Sequence, residues 1–555
     1  MSSEVTVTLA DVRPVLAAVQ ALTETAVAAA ARLTDGGKRI DDHQVVSERV
    51  AYAATEARAA AELLAFVDAI GARRTPVLER LAVAGVAELA AAARDRLMPI
   101  IDDLGLGEAA IEAAFTPQVR AALRRCMHES VLRAAGRDVA EAGGRNALPL
   151  DQTLEQVRDS VRQFADAEIA PHAEHIHRSD ALIPESFISS MSELGYFGLS
   201  VPEDYGGHEL GNLAMILTTE ELSRASLAAA GSLITRPEIL AKALLAGGTD
   251  AQKQTWLPRI ASGELMVAIS VTEPNVGSDV ASLACRAERA TVDGIDGWVI
   301  NGAKSWCTFA GRANIIALLA RTDPDPAKGA KGLSLFIVPK PTFEGHELEH
   351  TQPGGGRLEG KADATPGYRG MHSYTLNFER YFVPADHLVG GDDGEGRGFY
   401  LQMAGFAAGR LQTGGRACGV AQAALEKTAE YVVQRSQFKR PLIDFQLTQY
   451  HLGRMAARLA AARAITYAAA EAMDQDERAA APLAAQAKLL ACDIAVEVTQ
   501  TGQLLHGGWG YAEEYAISRY VVDAQVLPIF EGVKPVLELK VVARNLFASA
   551  FSLGH

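Results

Sequence analysis

Thr272-Glu273-Pro274-Asn275-Val276-Gly277-Ser278-Asp279 follows an apolar run at residues 265–271 and packs turn formers, hydroxyls and free backbone amides into eight residues. Such a loop holds a polar cofactor or is a structured turn. Further along comes Asn301-Gly302-Ala303-Lys304-Ser305-Trp306-Cys307-Thr308. It reads as a tight hairpin turn leading into a strand that presents Trp306 and Thr308 on one face. A flat indole beside a hydroxyl suits a flavin ring.

Around this pair of stretches the texture is that of a small β domain. Short β-branched and aromatic runs occur at 298–300, 315–319, 333–338 and 374–378, separated by Gly, Asn and Pro. On either side the chain reads as helices. Residues 151–263 are helical and punctuated by Pro171, Pro184, Pro202 and the Tyr205-Gly206-Gly207 turn, and long amphipathic helices return at 400–435, 445–473 and 479–505. Before Gly143-Gly144, residues 9–142 are rich in Ala, Leu, Glu and Arg, with Val15, Val19 and Leu22 at helical spacing. This first region reads as packing without chemistry. The expected domains are 1–145, 151–265, 266–390 and 391–555.

The pattern TEPxxGSD followed by NGxKxWxT resembles the acyl-CoA dehydrogenase family. The resemblance implies an α+β fold: a helical domain, a β-barrel-like domain and a C-terminal four-helix domain, here with an extra all-α N-terminal domain. It implies FAD as cofactor, with Thr272 and Ser278 along the flavin and the CoA thioester, Trp306 stacked on the ring and Thr308 near flavin N5. Tyr431-Val432-Val433-Gln434-Arg435-Ser436-Gln437-Phe438 and then Gln446 resemble the run in which Arg and Gln hold the FAD pyrophosphate and adenosine end across a dimer interface. An Arg fork suits phosphate. Lys439 stands where the family usually has Gly. His506-Gly507-Gly508-Trp509-Gly510-Tyr511 resembles the glycine turn that approaches FAD, with Leu504 in place of a common Gln.

The catalytic candidate is Glu531, in Leu527-Pro528-Ile529-Phe530-Glu531-Gly532-Val533, a carboxylate among apolar residues and followed by glycine. A carboxylate in that setting suits a general base. In the family the base of an I-Y/F-E-G stretch removes the substrate α-proton as the β-hydride passes to flavin N5. Val533 replaces the usual Thr. Some relatives place the base immediately before an Arg of an earlier helix, but Gly409 occupies that position here, before Arg410. Arg410 and Gly532 are the further substrate contacts that the resemblance implies.

The 555-residue chain carries a net charge of −15 and no sustained Lys/Arg cluster, so neither nucleic acid nor an anionic membrane is the expected main partner. With 48% hydrophobic and 22% charged residues it has ordinary globular composition. Five dispersed cysteines without a CxxC pair suggest no disulfide framework and a reducing cytoplasm. The Ala-rich stretch 26–31 is too short to span a bilayer. His346-Glu347-Leu348-Glu349-His350 fits HExxH, which needs a helix, yet glycines flank it inside a strand-rich hairpin excursion. No metal is expected. The phosphate-loop-like 355–362 has Ala362 where a Ser/Thr must bind Mg²⁺.

For the substrate, the N-terminal helices and the run 353–372 resemble the branch of the family that converts methylsuccinyl-CoA to mesaconyl-CoA. Its substrate carries a free carboxylate that needs a cation. Arg236 lies on the helix that forms the family's acyl pocket and is the expected reader, with His372 and Arg369 as rivals. Another short or branched acyl-CoA, an oxygen-using oxidase and a non-catalytic flavin-binding scaffold are the alternatives. Electron-transfer flavoprotein is the acceptor that the resemblance implies, and a homodimer the expected assembly.

Overall fold

The structure, a computed structural model, describes residues 5–553. The chain divides into two compact units, one made of residues up to Asp159 together with those from Thr413 onward, the other of Ser160–Gln412. The N-terminal helices therefore share a unit with the C-terminal helices.

In the first unit, local sequence sets several helix starts. Thr75 accepts a hydrogen bond from the Leu78 amide ahead of Pro76–Leu97, and Thr116 does the same for Val119 ahead of Pro117–Cys126. In both, Pro occupies the first helical position, where a missing N–H costs nothing. The helix Glu129–Glu141 crosses Gln446–Gln475 at a pair of glycines. A Cβ on Gly136 would lie 1.9 Å from the Gln449 carbonyl oxygen, and one on Gly453 2.0 Å from that of Leu132. Only the lack of side chains lets these backbones approach so closely. Leu9–Leu33 and Glu477–Tyr511 are long and apolar enough to cross a membrane, but 56% and 72% of their apolar windows are buried inside the protein, as in core helices.

In the second unit an eight-stranded sheet carries the middle of the chain. Val267–Ser270 pairs in parallel with Ile315–Arg321, which also pairs antiparallel with Leu333–Pro339. Ile295–Thr308 lies between Arg286–Val292 and Ser373–Pro384, both antiparallel. One set of buried sheet residues, including Val267, Ile315 and Leu335, packs with Leu244, Trp256 and Ile260 of helices Thr235–Gly247 and Asp250–Ala261. A second set gathers Trp298, Phe336, Tyr374 and Phe378.

Two expectations change here. Asn301-Gly302 is not a hairpin turn but lies within one 14-residue strand, at a register shift between Ile300 and Gly302. A Cβ on Gly302 would come 2.8 Å from Cys285 Cα, so this glycine serves a close approach. A second shift between Lys304 and Cys307 places Trp306 at φ 57°, which breaks the regular alternation assumed for Trp306 and Thr308. The HExxH stretch forms the strand Glu347–Thr351, paired with Arg357–Ala362 as the hairpin excursion that its glycines suggested. Its two histidines are therefore not one helical turn apart.

Candidate active site

The second unit holds both the Thr272 loop and the Trp306 strand, and it joins them through residues whose roles the sequence did not reveal. Glu273 accepts hydrogen bonds from the amides of Ala284 (2.7 Å) and Cys285 (2.8 Å). Lys304, fully buried, reaches Glu273 Oε1 at 3.0 Å and the Val271 carbonyl at 2.9 Å, and the Ser305 amide donates to the Thr272 carbonyl at 2.9 Å. A buried ion pair thus fixes the Thr272 loop against the Trp306 strand. The acidic and basic residues of the two stretches, Glu273 and Lys304, were the available signal.

The loop is also a tight turn, because the Glu273 and Val276 amides each donate to the other's carbonyl, while Ser278 lies exposed beyond it. Trp306 is 58% exposed and offers its indole outward. Thr308 is buried, with its hydroxyl 2.9 Å from that of Ser373, and the Phe309 amide donates to the His372 carbonyl.

Arg236 is buried and donates to the Ser232 carbonyl (3.1 Å) and the Tyr368 hydroxyl (3.3 Å). Arg369 donates to the Thr365 and His177 carbonyls. His372 Nε2 lies 3.1 Å from Asp180 Oδ1, and Arg369 is 3.5 Å from the same oxygen. Asp180, His346 and His372 have ligand atoms within 4.8 Å of one another, but this carboxylate is already shared by His372 and Arg369. Arg410, on helix Gly398–Gln434, is half-buried.

The first unit holds the catalytic candidate. Glu531 follows helix Ile517–Ala524 in a turn where its own φ is 56° and that of Gly532 is 98°. Its side chain is only 9% exposed, and Oε1 lies 4.0 Å from the guanidinium of the fully buried Arg416. Arg416 stacks over the Phe530 ring, 4.6 Å from its centroid, and donates to Thr413 Oγ1 at 2.7 Å. Lys488 donates to the carbonyls of both Phe530 and Gly532. Neither Arg416 nor Lys488 had a local signal, since each lies within a long apolar helix.

Elsewhere on this unit an open groove of about 590 Å³ is lined by Tyr431, Arg435, Gly507, Gly508 and Trp509. His506 also lines it, its ring stacked on Tyr431 at 4.2 Å and tied through Nδ1 to the Gly502 carbonyl; burial pushes the His506 pKa down. Gly507 takes φ 62°, and added Cβ atoms on Gly507 or Gly508 would meet open space. Arg435, Gly507 and Gly508 are thus brought together. Phe438 and Gln446 are not part of this lining; both are exposed, Phe438 at 88%.

Three family models match along the chain: the acyl-CoA dehydrogenase N-terminal domain at residues 151–264, the middle domain at 268–381 and the C-terminal domain at 396–547. The chain belongs to the acyl-CoA dehydrogenase family. It is 41% identical over 455 residues to a (2S)-methylsuccinyl-CoA dehydrogenase of Cereibacter sphaeroides, covering 80% of this chain and 79% of the relative. A mitochondrial 2-methylacyl-CoA dehydrogenase of Solanum tuberosum is 37% identical, covering 73% and 93%. A chain in the structure of the electron transferring flavoprotein of Acidaminococcus fermentans aligns with a TM-score of 0.64 at 31% identity, covering 72% of this chain and 98% of that one.

This acyl-CoA dehydrogenase is an oxidoreductase acting on CH–CH groups, and its cofactor is FAD. The residues present fit that group. An exposed indole at Trp306 suits a flat ring, and the Arg435 cation beside side-chain-free Gly507 and Gly508 suits a pyrophosphate. The helical, β and helical domains of the family are all present, with the extra N-terminal helices added.

Proposed function

We propose that the chain oxidises (2S)-methylsuccinyl-CoA to mesaconyl-CoA, with Glu531 as the α-proton base. The observation that carries the chemistry is the Glu531 carboxylate, held in a constrained turn with a buried guanidinium 4.0 Å away. The thioester carbonyl acidifies the α-carbon, Glu531 takes the α-proton, and the electron pair left on Cα forms the Cα–Cβ double bond as hydride leaves Cβ. FAD, when bound, accepts that hydride. The Arg416 guanidinium lies beside the carboxylate that takes the proton.

On this reading Thr272, Trp306 and Thr308 bind the flavin, Ser278 contacts both flavin and thioester, and Arg410 and Gly532 contact the substrate. Arg435, Phe438, Gln446, Gly507 and Gly508 hold the rest of FAD, with Arg435 and Gln446 reaching across a homodimer. Arg236 meets the substrate carboxylate. The identity to the Cereibacter sphaeroides enzyme supports this choice of substrate, and the buried position of Arg236 suits a desolvated carboxylate reader. Electron-transfer flavoprotein takes the electrons onward, and the reaction runs in the cytoplasm.

The test is a thioester panel of methylsuccinyl-, isobutyryl-, butyryl- and glutaryl-CoA, followed by flavin absorbance. Methylsuccinyl-CoA should bleach the flavin fastest, and Glu531→Gln should slow bleaching by at least about 10³-fold. Equal bleaching by Glu531→Gln would remove Glu531 from the chemistry. Reoxidation in air as fast as with electron-transfer flavoprotein would make the enzyme an oxidase.

A further inference from the structure

Lys488 lies in helix Glu477–His506 and is buried, and its ammonium reaches a short turn from the other side of the packing. Nζ donates to the carbonyl of Phe530 and, at 2.6 Å, to that of Gly532. These are the residues on either side of Glu531. The turn needs such a hold. Glu531 at φ 56° and Gly532 at φ 98° are two successive residues in the left-handed half of backbone space, which a residue with a side chain enters at a cost.

Rotating the 530–531 peptide would break the charge-assisted hydrogen bond from Lys488 to Phe530 and swing the Cα–Cβ bond of Glu531, and the bond to Gly532 holds the 532–533 peptide just beyond it. From another helix, Arg416 stacks on Phe530 and sits 4.0 Å from the carboxylate. Two buried cations therefore act on one turn, and Lys488 hydrogen-bonds the backbone both before and after the base. A structural ammonium would need only some set of acceptors. This one has acceptors on both sides of Glu531.

We propose that Lys488 is a positioning residue for proton abstraction: it locks the 530–532 turn so that the Glu531 carboxylate meets the substrate α-carbon, without itself touching substrate. This rests on the reading of Glu531 as the base. Loss of the lock should misplace the base by a fraction of a bond length to a bond length, which slows the chemical step while leaving binding alone.

The experiment is stopped-flow flavin reduction of FAD-loaded enzyme, with the fastest thioester of the panel deuterated at the α- or the β-carbon, for wild type, Lys488→Met, Lys488→Arg and Glu531→Gln. Lys488→Met should hold FAD and bind substrate within about threefold of wild type and reduce its flavin about 10- to 100-fold more slowly. Its α-deuterium isotope effect should rise while the β-effect stays unchanged, and Lys488→Arg should restore part of the rate. Wild-type reduction by Lys488→Met, or slow reduction with an unchanged α-effect, would overturn the proposal. If Lys488→Met does not fold, Gly532→Ala strains the same turn and must raise the α-effect, and its failure to do so counts equally against the lock. Full-rate reduction by Glu531→Gln would instead overturn the underlying assignment of the base.

Discussion

Glu273 and Lys304 show how single residues of two recognisable stretches divide their labour. Both are buried, and their ion pair carries additional hydrogen bonds to the amides of Ala284 and Cys285 and to the Val271 carbonyl. Removing one partner strands the other charge in a medium that cannot solvate it. Lys304→Met, which strands the Glu273 carboxylate, and Glu273→Gln, which strands the Lys304 ammonium, should therefore each lower unfolding free energy by about 3–5 kcal/mol, measured by urea denaturation. A second residue-scale expectation concerns Glu538, buried one turn after the Glu531 loop, whose pKa burial pushes up from 4.5 to about 7 against the pull of Lys534. Between those two pH values the folded protein keeps a proton that the unfolded chain has released, so stability falls as pH rises through this window. Glu538→Gln should be more stable than wild type by about 1–3 kcal/mol above pH 7, with the gain vanishing toward pH 4.5. Thermal unfolding across pH 4.5–8 tests it, and a gain independent of pH would contradict the assignment.

At the scale of elements, the hairpin after helix Gly398–Gln434 shows a sequence compromise. Ser436–Gln437 pairs with Arg440–Pro441, leaving Phe438 (φ 50°) and Lys439 (φ 66°) at the corner. Two consecutive positive φ values are what a two-residue hairpin of the proper twist demands, and Gly or Asn usually provides them. The departure from Gly at Lys439 therefore leaves the turn shape intact but strained. Lys439→Gly should raise stability by about 1 kcal/mol in urea, and a loss would mean that the Lys side chain contributes more than the strain costs. The glycine crossing of Glu129–Glu141 over Gln446–Gln475 points the other way. Gly136→Val must push the helices apart and should destabilise by about 3 kcal/mol or more, seen as a lowered urea midpoint.

For the whole molecule, the open groove beside Arg435 and Gly507 carries large apolar residues at its rim and beside it. Leu504 is 80% exposed and Tyr511 89%, close in sequence to the exposed Trp509. A monomer gains nothing by showing such side chains to water, and a second copy of the chain would cover them. Light scattering should report a homodimer, and Leu504→Asp with Tyr511→Ser should shift it toward monomer and lower the FAD content of the purified protein together. Monomers that keep full FAD would separate cofactor binding from assembly.

Much of this protein was legible in its sequence because short-range chemistry is written in short stretches. The helix, sheet and helix order, the Thr272 and Trp306 stretches, the Arg435 and Gly507-Gly508 pieces and the Glu531-Gly532 pair are all local patterns of turn formers, apolar periodicity and well-placed polar groups. The strand alternation around Trp306 misled because bulges depend on the neighbouring strand: the Gly302 approach to Cys285 and the shift at Lys304 exist only once the strands are paired. The grouping of the N-terminal helices with the C-terminal ones was equally hidden, since it rests on glycines 317 positions apart, Gly136 and Gly453. The same holds for the surroundings of Glu531. The sequence determined that a glutamate followed by glycine stands in an apolar segment; only the tertiary structure decided that Lys488 and Arg416, on two other helices, would hold it, because a buried cation takes its partners from whatever the packing places within hydrogen-bonding reach.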